Sequence, residues 1–238
     1  MRRVFVICDT ETICDARLVW DIAWLVCDSK GNVLESFNAC VADVLASPFG
    51  RKLVARDGFT SRKLSDGTRK SDWYLSQIDA DNMPVMSFAD IKSAFDAIGP
   101  RYRAQVVFCA YNADFDIRAL NDNSDTYGLG SFFGSKVITC DIWHTALDTI
   151  CNSNRFVAWA IANGYTSDKG NIRTSAETVY RYMRGDTNFE ERHTALADCE
   201  IEREILFKAR KYHKVLHFGN VMPCCFRCKE WQRLQNRR

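Results

Sequence analysis

Three apolar, strand-like runs occupy most of the first 41 residues, and the turns between them leave no room for a helix. Phe5 to Cys8 reads as the centre of a buried strand, Val19 to Cys27 as a second, and Val33 to Val41 as a third. The turn Asp28-Ser29-Lys30-Gly31-Asn32 joins the last two. A β-meander at the start of a chain commits it to a sheet with antiparallel neighbours. Further on, the pattern changes. Ser87 caps an expected helix from Phe88 to Ile98, stopped by Gly99-Pro100, and Val106 to Ala110 reads as a short buried strand. A helix over Asp114 to Leu120 and a strand over Val137 to Cys140 follow. After about Asp141 the chain reads as helical, broken near Asn163-Gly164 and Gly185-Asp186. A meander followed by alternating strand and helix gives an α/β chain with a mixed sheet flanked by helices.

Between about 43 and 84 the pattern is polar, basic and punctuated by Gly, Pro and Ser. This is too long for a plain loop, so it reads as an insertion with structure of its own, placed after the third strand. The division expected is therefore one domain over 1–212, carrying that insertion, and a basic tail over 213–238. With 238 residues, 47% of them apolar, the chain can bury a sizeable core. No apolar run reaches the roughly 20 residues of a membrane span. The five apolar residues after Met1-Arg2-Arg3 are too few for a signal-peptide core, and the 11 cysteines are odd in number. Both features favour a reduced, cytoplasmic protein with no membrane partner.

The first strand runs into Asp9 and Glu11. If it stays extended, both acids project from one face and repel each other, which a divalent cation would relieve. Asp116 falls just beyond the carboxyl end of the strand Val106 to Ala110, with Asp114 as the competing carboxylate and Phe115 and Leu120 able to pack on the sheet. Asp198 shares a helical face with Ile201 and Ile205, so it sits beside a buried stripe. His193, five residues earlier, would point about 140° away on a continuous helix. Thr194 as the N-cap instead puts His193 outside the helix and free to turn toward Asp198.

Asp-x-Glu at the end of the first strand, Asn112-x-x-Phe115-Asp116 after a middle strand, and His193-x-Ala195-x-x-Asp198 opening a late helix resemble the three motifs of the DEDDh 3′→5′ exonucleases. That is the family of bacterial proofreading subunits, RNase T and oligoribonuclease. Leu120 agrees as well, and the resemblance covers roughly residues 4–42 and 86–210. It implies an RNase H-like fold and hydrolysis of nucleotides from the 3′ end of single-stranded DNA or RNA. It also implies two Mg²⁺ or Mn²⁺ ions held by Asp9, Glu11, Asp116 and Asp198. Asp9 would bridge the ions, Glu11 and Asp198 would hold the first, and His193 would be the general base. Thr10, Thr12, Asn112 and Phe115 would contact substrate. The chain departs from the family by reading Ile13-Cys14 where Thr-Gly is common.

Two basic stretches, Arg51 to Lys70 and Lys208 to Arg238, read either as solvated surface or as phosphate contacts. In the tail, His213, His217, Cys225 and Cys228 form a candidate structural zinc site, with a cysteine packing cluster as the alternative. Trp73, Tyr74, Phe132 and Phe133 read as packing residues or as stacking platforms for bases. The glycines at 128, 130 and 134 lack the spacing and lysine of a phosphate loop. Two further functions fit the same fold: a catalytically inactive nucleic-acid-binding protein, and a partner-binding module whose surface is the insertion or the tail. All five acidic and histidine positions are kept, which a binding module does not need.

Overall fold

The computed structural model describes residues 2–13, 17–56, 63 and 67–212. Six strands form one sheet: β1 (Arg3–Ile13), β2 (Leu18–Cys27), β3 (Val33–Val41), β4 (Val85–Met86), β5 (Gln105–Ala110) and β6 (Ile138–Asp141). Their order is β4-β3-β2-β1-β5-β6. β1 and β2 pair antiparallel, as do β2 and β3, whereas β5 lies parallel to β1 and β6 parallel to β5. The mixed sheet flanked by helices is therefore the architecture expected from sequence.

The inserted segment carries three helices among its described residues: α1 (Ala42–Leu45), α2 (Pro48–Arg56) and α3 (Lys70–Asp79). Next come α4 (Phe88–Asp96), α5 (Ile98–Tyr102) and α6 (Ala113–Thr126). After β6 the chain forms α7 (Ile142–Ala146), a π-helical turn (Leu147–Cys151), α8 (Asn154–Ala162), α9 (Ala176–Arg184) and α10 (Ala195–Arg210). Ser87 caps α4 as expected, its side chain accepting from Asp90 N. The expected stop at Gly99-Pro100 is not found. Pro100 sits in the first turn of α5, where its missing N–H leaves no intrahelical bond unmade.

β1 lies in the middle of the sheet, and its side chains alternate between two cores. Val4, Val6 and Cys8 pack with Trp20, Trp24, Phe88 and Phe95, on the side of α4 and α6. Phe5 and Ile7 pack with Ala23, Leu25 and Ile205, on the side of α10. Tyr74 and Phe132 are fully buried, and Trp73 and Phe133 pack against the same core, so all four are packing residues. Seven cysteines of the described residues are free and buried, behaving as small hydrophobes. Among the described residues no helix is long and apolar enough to cross a membrane.

The β2–β3 turn grips α10. Gly31 has φ +92°, and a Cβ there would lie 2.7 Å from the Phe207 ring, so both the turn and the close approach require glycine. Arg203 donates to Gly31 O at 3.0 Å and Arg210 to Ser29 O at 2.9 Å. The helix that carries Asp198 is thus held at its far end.

Candidate active site

The extended conformation of β1 continues through both acids. Pairing with β5 stops at Ile7↔Cys109, while pairing with β2 runs on through Asp9↔Ala23 and Glu11↔Asp21. Asp9 and Glu11 therefore sit where β1 outruns β5, and the space beyond the end of β5 is filled by the start of α6. By strand alternation both acids share the face of Phe5 and Ile7, the side of α10, while Thr10 points the other way. The register shifts between Glu11 and Thr12, a bulge that ends the regular pairing.

Asn112 turns the chain from β5 into α6 with φ +67°, a conformation that Asn tolerates. Asp141 fixes this corner. Its two carboxylate oxygens accept from Ala113 N and His144 N, each at 3.1 Å, tying the start of α6 to the start of α7. Asp116 then lies buried in the first turn of α6 and accepts from the Thr10 hydroxyl at 2.8 Å. The competing Asp114 instead pairs with Arg118 one turn on, at 2.7 Å. Leu120 packs into the core, but Phe115 does not; it is 37% exposed, because Asp116 takes the inward position in that turn.

Thr194 caps α10, accepting from Ala197 N, and His193 stands outside the helix with φ +53°. That left-handed residue turns the imidazole back toward Asp198. One ligand atom each from Glu191, His193 and Asp198 lie within 4.8 Å of one another, and so do one each from Asp9, Glu11 and Asp198. The structure therefore gathers Asp9, Glu11, Asp198 and His193, with Asp116 close enough to Asp9 that its charge opposes ionisation there.

Four residues around the site were not identified from sequence. Asp21, directly opposite Glu11, is fully buried and accepts from Tyr74 O–H (2.6 Å), Asn38 Nδ2 (2.8 Å) and Ala195 N (3.3 Å). Glu202, one turn after Asp198 on α10, is buried and accepts from Tyr111 N at 3.2 Å. Glu191 places Oε2 3.4 Å from His193 Nδ1. Lys70, the first residue of α3, forms a 2.6 Å ion pair with Glu11, with side chains only 3% and 8% exposed. The Arg51–Lys70 stretch thus supplies at least one cation to the interior rather than to the surface. An acid between Trp20 and Ile22 in an apolar strand, and one on the buried stripe of α10, are the signals that point to Asp21 and Glu202.

So many buried carboxylates suppress one another's ionisation. Burial, then Asp116 and Glu11, push Asp9 well above the carboxylate range. Burial, then Asp9 and Glu191, do the same for Asp198. Burial raises Glu11 to about 7 against the opposing pull of Lys70, and raises Asp116 to about 7 against the Thr10 hydrogen bond. Glu191 rises to about 7 through burial and repulsion from Glu177. Asp198 Oδ1 is buried and has no hydrogen-bond partner among the described residues. An orphaned carboxylate oxygen beside converging carboxylates fits a hard divalent cation, which oxygen donors prefer. The candidate zinc ligands His213, His217, Cys225 and Cys228 lie outside the described residues.

No protein-family model matches the chain, and no curated protein matches its sequence. Solved structures do match. Cell-death related nuclease 4 (CRN-4) aligns with a TM-score of 0.56 at 16% identity, over 97% of this chain and 70% of that one. E. coli Exonuclease I in complex with a dA16 oligonucleotide gives 0.53 at 13% identity, over 88% of this chain and 41% of that one. Its zinc-bound complex with single-stranded DNA gives 0.53 at 12% identity, over 89% and 41%. The fold is that of these nucleases. The chain spans less than half the length of Exonuclease I.

Proposed function

We propose that the protein is a metal-dependent 3′→5′ exonuclease that releases nucleotides from single-stranded nucleic acid. The observation that carries this reading is the convergence of Asp9, Glu11 and Asp198 beside an orphaned carboxylate oxygen, with His193 on the rim. Exonuclease I, of the same fold, has been solved with single-stranded oligonucleotides, which supports the same substrate class here.

Asp9, Glu11, Asp116 and Asp198 would hold Mg²⁺ or Mn²⁺. Bound there, two such cations supply an activated water and neutralise charge on the scissile phosphate. His193 is partly open to solvent, Glu191 lies beside its Nδ1, and the imidazole would take the water's proton at Nε2. Phe115, exposed in the first turn of α6, would stack on the terminal base, and Asn112, Thr10 and Thr12 would line its path.

The test is incubation with 5′-labelled single-stranded RNA and DNA, in Mn²⁺, Mg²⁺ or chelator, beside Asp9→Ala and His193→Ala. A metal-dependent ladder shortening from the 3′ end, lost in Asp9→Ala, is expected. Tight binding with no shortening of either strand would replace the enzyme by a binding protein of the same fold.

A further inference from the structure

The inserted helix α3 addresses both members of the cross-strand pair Glu11↔Asp21. Lys70 and Tyr74 are four residues apart on one helical face. Lys70 Nζ reaches Glu11 Oε1 at 2.6 Å, and the Tyr74 hydroxyl donates to Asp21 Oδ2, also at 2.6 Å. Tyr74 is further wedged edge-on against Trp20, ring centroids 4.6 Å apart. The ammonium also faces Asp198, Glu191 and Asp21, all of which feel its charge. It is thus a cation already placed inside a cluster that would bind a divalent one.

The two positive charges cannot share Glu11 without strong repulsion, because the Lys70–Glu11 pair is buried. Tyr74 is anchored one turn further in, whereas Lys70 is the first residue of α3 and has no side-chain cap before it. Its side chain can leave Glu11 while the rest of α3 stays docked. We propose that Lys70 is a built-in competitor for the divalent cation, neutralising Glu11 in the metal-free protein and expelled from the site when metal binds. This rests on the metal reading above. It makes the inserted segment sensitive to whether the site is loaded.

Calorimetric titration of the full chain with Mn²⁺ tests this on wild type, Lys70→Met, Lys70→Arg and Asp9→Ala. Lys70→Met is expected to bind at least about tenfold more tightly, the smallest effect a close opposite charge commonly has on a carboxylate's equilibrium. Lys70→Arg, which keeps the charge, should stay near wild type. Hydrogen exchange gives a second readout that needs no variant: Mn²⁺ should speed exchange in the first turn of α3. Binding by Lys70→Met no tighter than wild type, or binding by Lys70→Arg as tight as that of Lys70→Met, overturns the competitor. So does an unchanged first turn of α3 on loading. In those cases, wild-type binding lost in Asp9→Ala leaves the metal reading standing. No Mn²⁺ binding by any form overturns both, whereas binding by Lys70→Met alone supports the competitor.

Discussion

Thr10 Oγ1 donates a 2.8 Å hydrogen bond to Asp116 Oδ1, joining the outer face of β1 to the first turn of α6. The bond favours the ionised form of a carboxylate that burial, even against it, holds at about 7. Thr10→Val keeps the shape and removes the donor. If Asp116 holds metal as proposed, the substitution should lower turnover at neutral pH by about tenfold, as expected for a shift of about one unit in such a carboxylate, and the loss should shrink as pH rises. A pH–rate profile with no change of position would separate Thr10 from Asp116.

Glu191 orients His193 in the proposed reaction. Glu191→Gln keeps the size but weakens the hold on Nδ1, and should lower kcat by about ten- to a hundredfold, the usual effect of an outer partner on an active histidine. KM should change little. A large rise in KM with kcat intact would make Glu191 a substrate contact instead.

Metal-free stability should fall as pH rises. Glu11, Asp116 and Glu191 stand at about 7 in the folded protein. Their unfolded values are about 4, so between about 4 and 7 the native state holds more protons than the unfolded chain, and raising pH destabilises it. Melting in chelator should give a lower Tm at pH 8 than at pH 5.5. Mn²⁺ should reverse the trend, because it binds the deprotonated ligands. A Tm that rises with pH in chelator would contradict the mutual suppression of these acids.

Removing a charge from the cluster should stabilise the metal-free fold. Asp198→Asn is expected to raise Tm in chelator, by about 1 kcal/mol of stability, and to abolish the further rise on adding Mn²⁺. Tyr74→Phe should do the opposite. It leaves buried Asp21 short of its 2.6 Å donor and should cost about 1–3 kcal/mol, read by denaturant unfolding.

Local chemistry was legible in the sequence wherever a residue's neighbours in the chain decide its conformation. Val33 to Val41 is the strand expected, Ser87 and Thr194 cap their helices, and the cap at Thr194 alone places His193 outside α10. The acids with motif spacing arrived together because β1, α6 and α10 bring them to one end of the sheet. Lys70, Tyr74 and Asp21 were not legible, since their pairing depends on where the inserted helix docks, and no local pattern encodes that. Phe115 fails for a related reason: the pattern allows either Phe115 or Asp116 to face inward, and the hydrogen bond from Thr10 selects the acid.

The alternation along β1 also limits how the gene can change. Inserting or deleting one codon between Phe5 and Asp9 would swap the faces of Asp9 and Glu11 with that of Thr10, turning the acids toward α6 and the threonine toward α10. A change of two codons would restore the faces but slide the acids about 7 Å along the strand, away from His193 and Asp198. Either way the cluster is lost while the strand remains apolar enough to fold. Lineages of this protein should therefore vary more in the identity of the apolar residues before Asp9 than in their number.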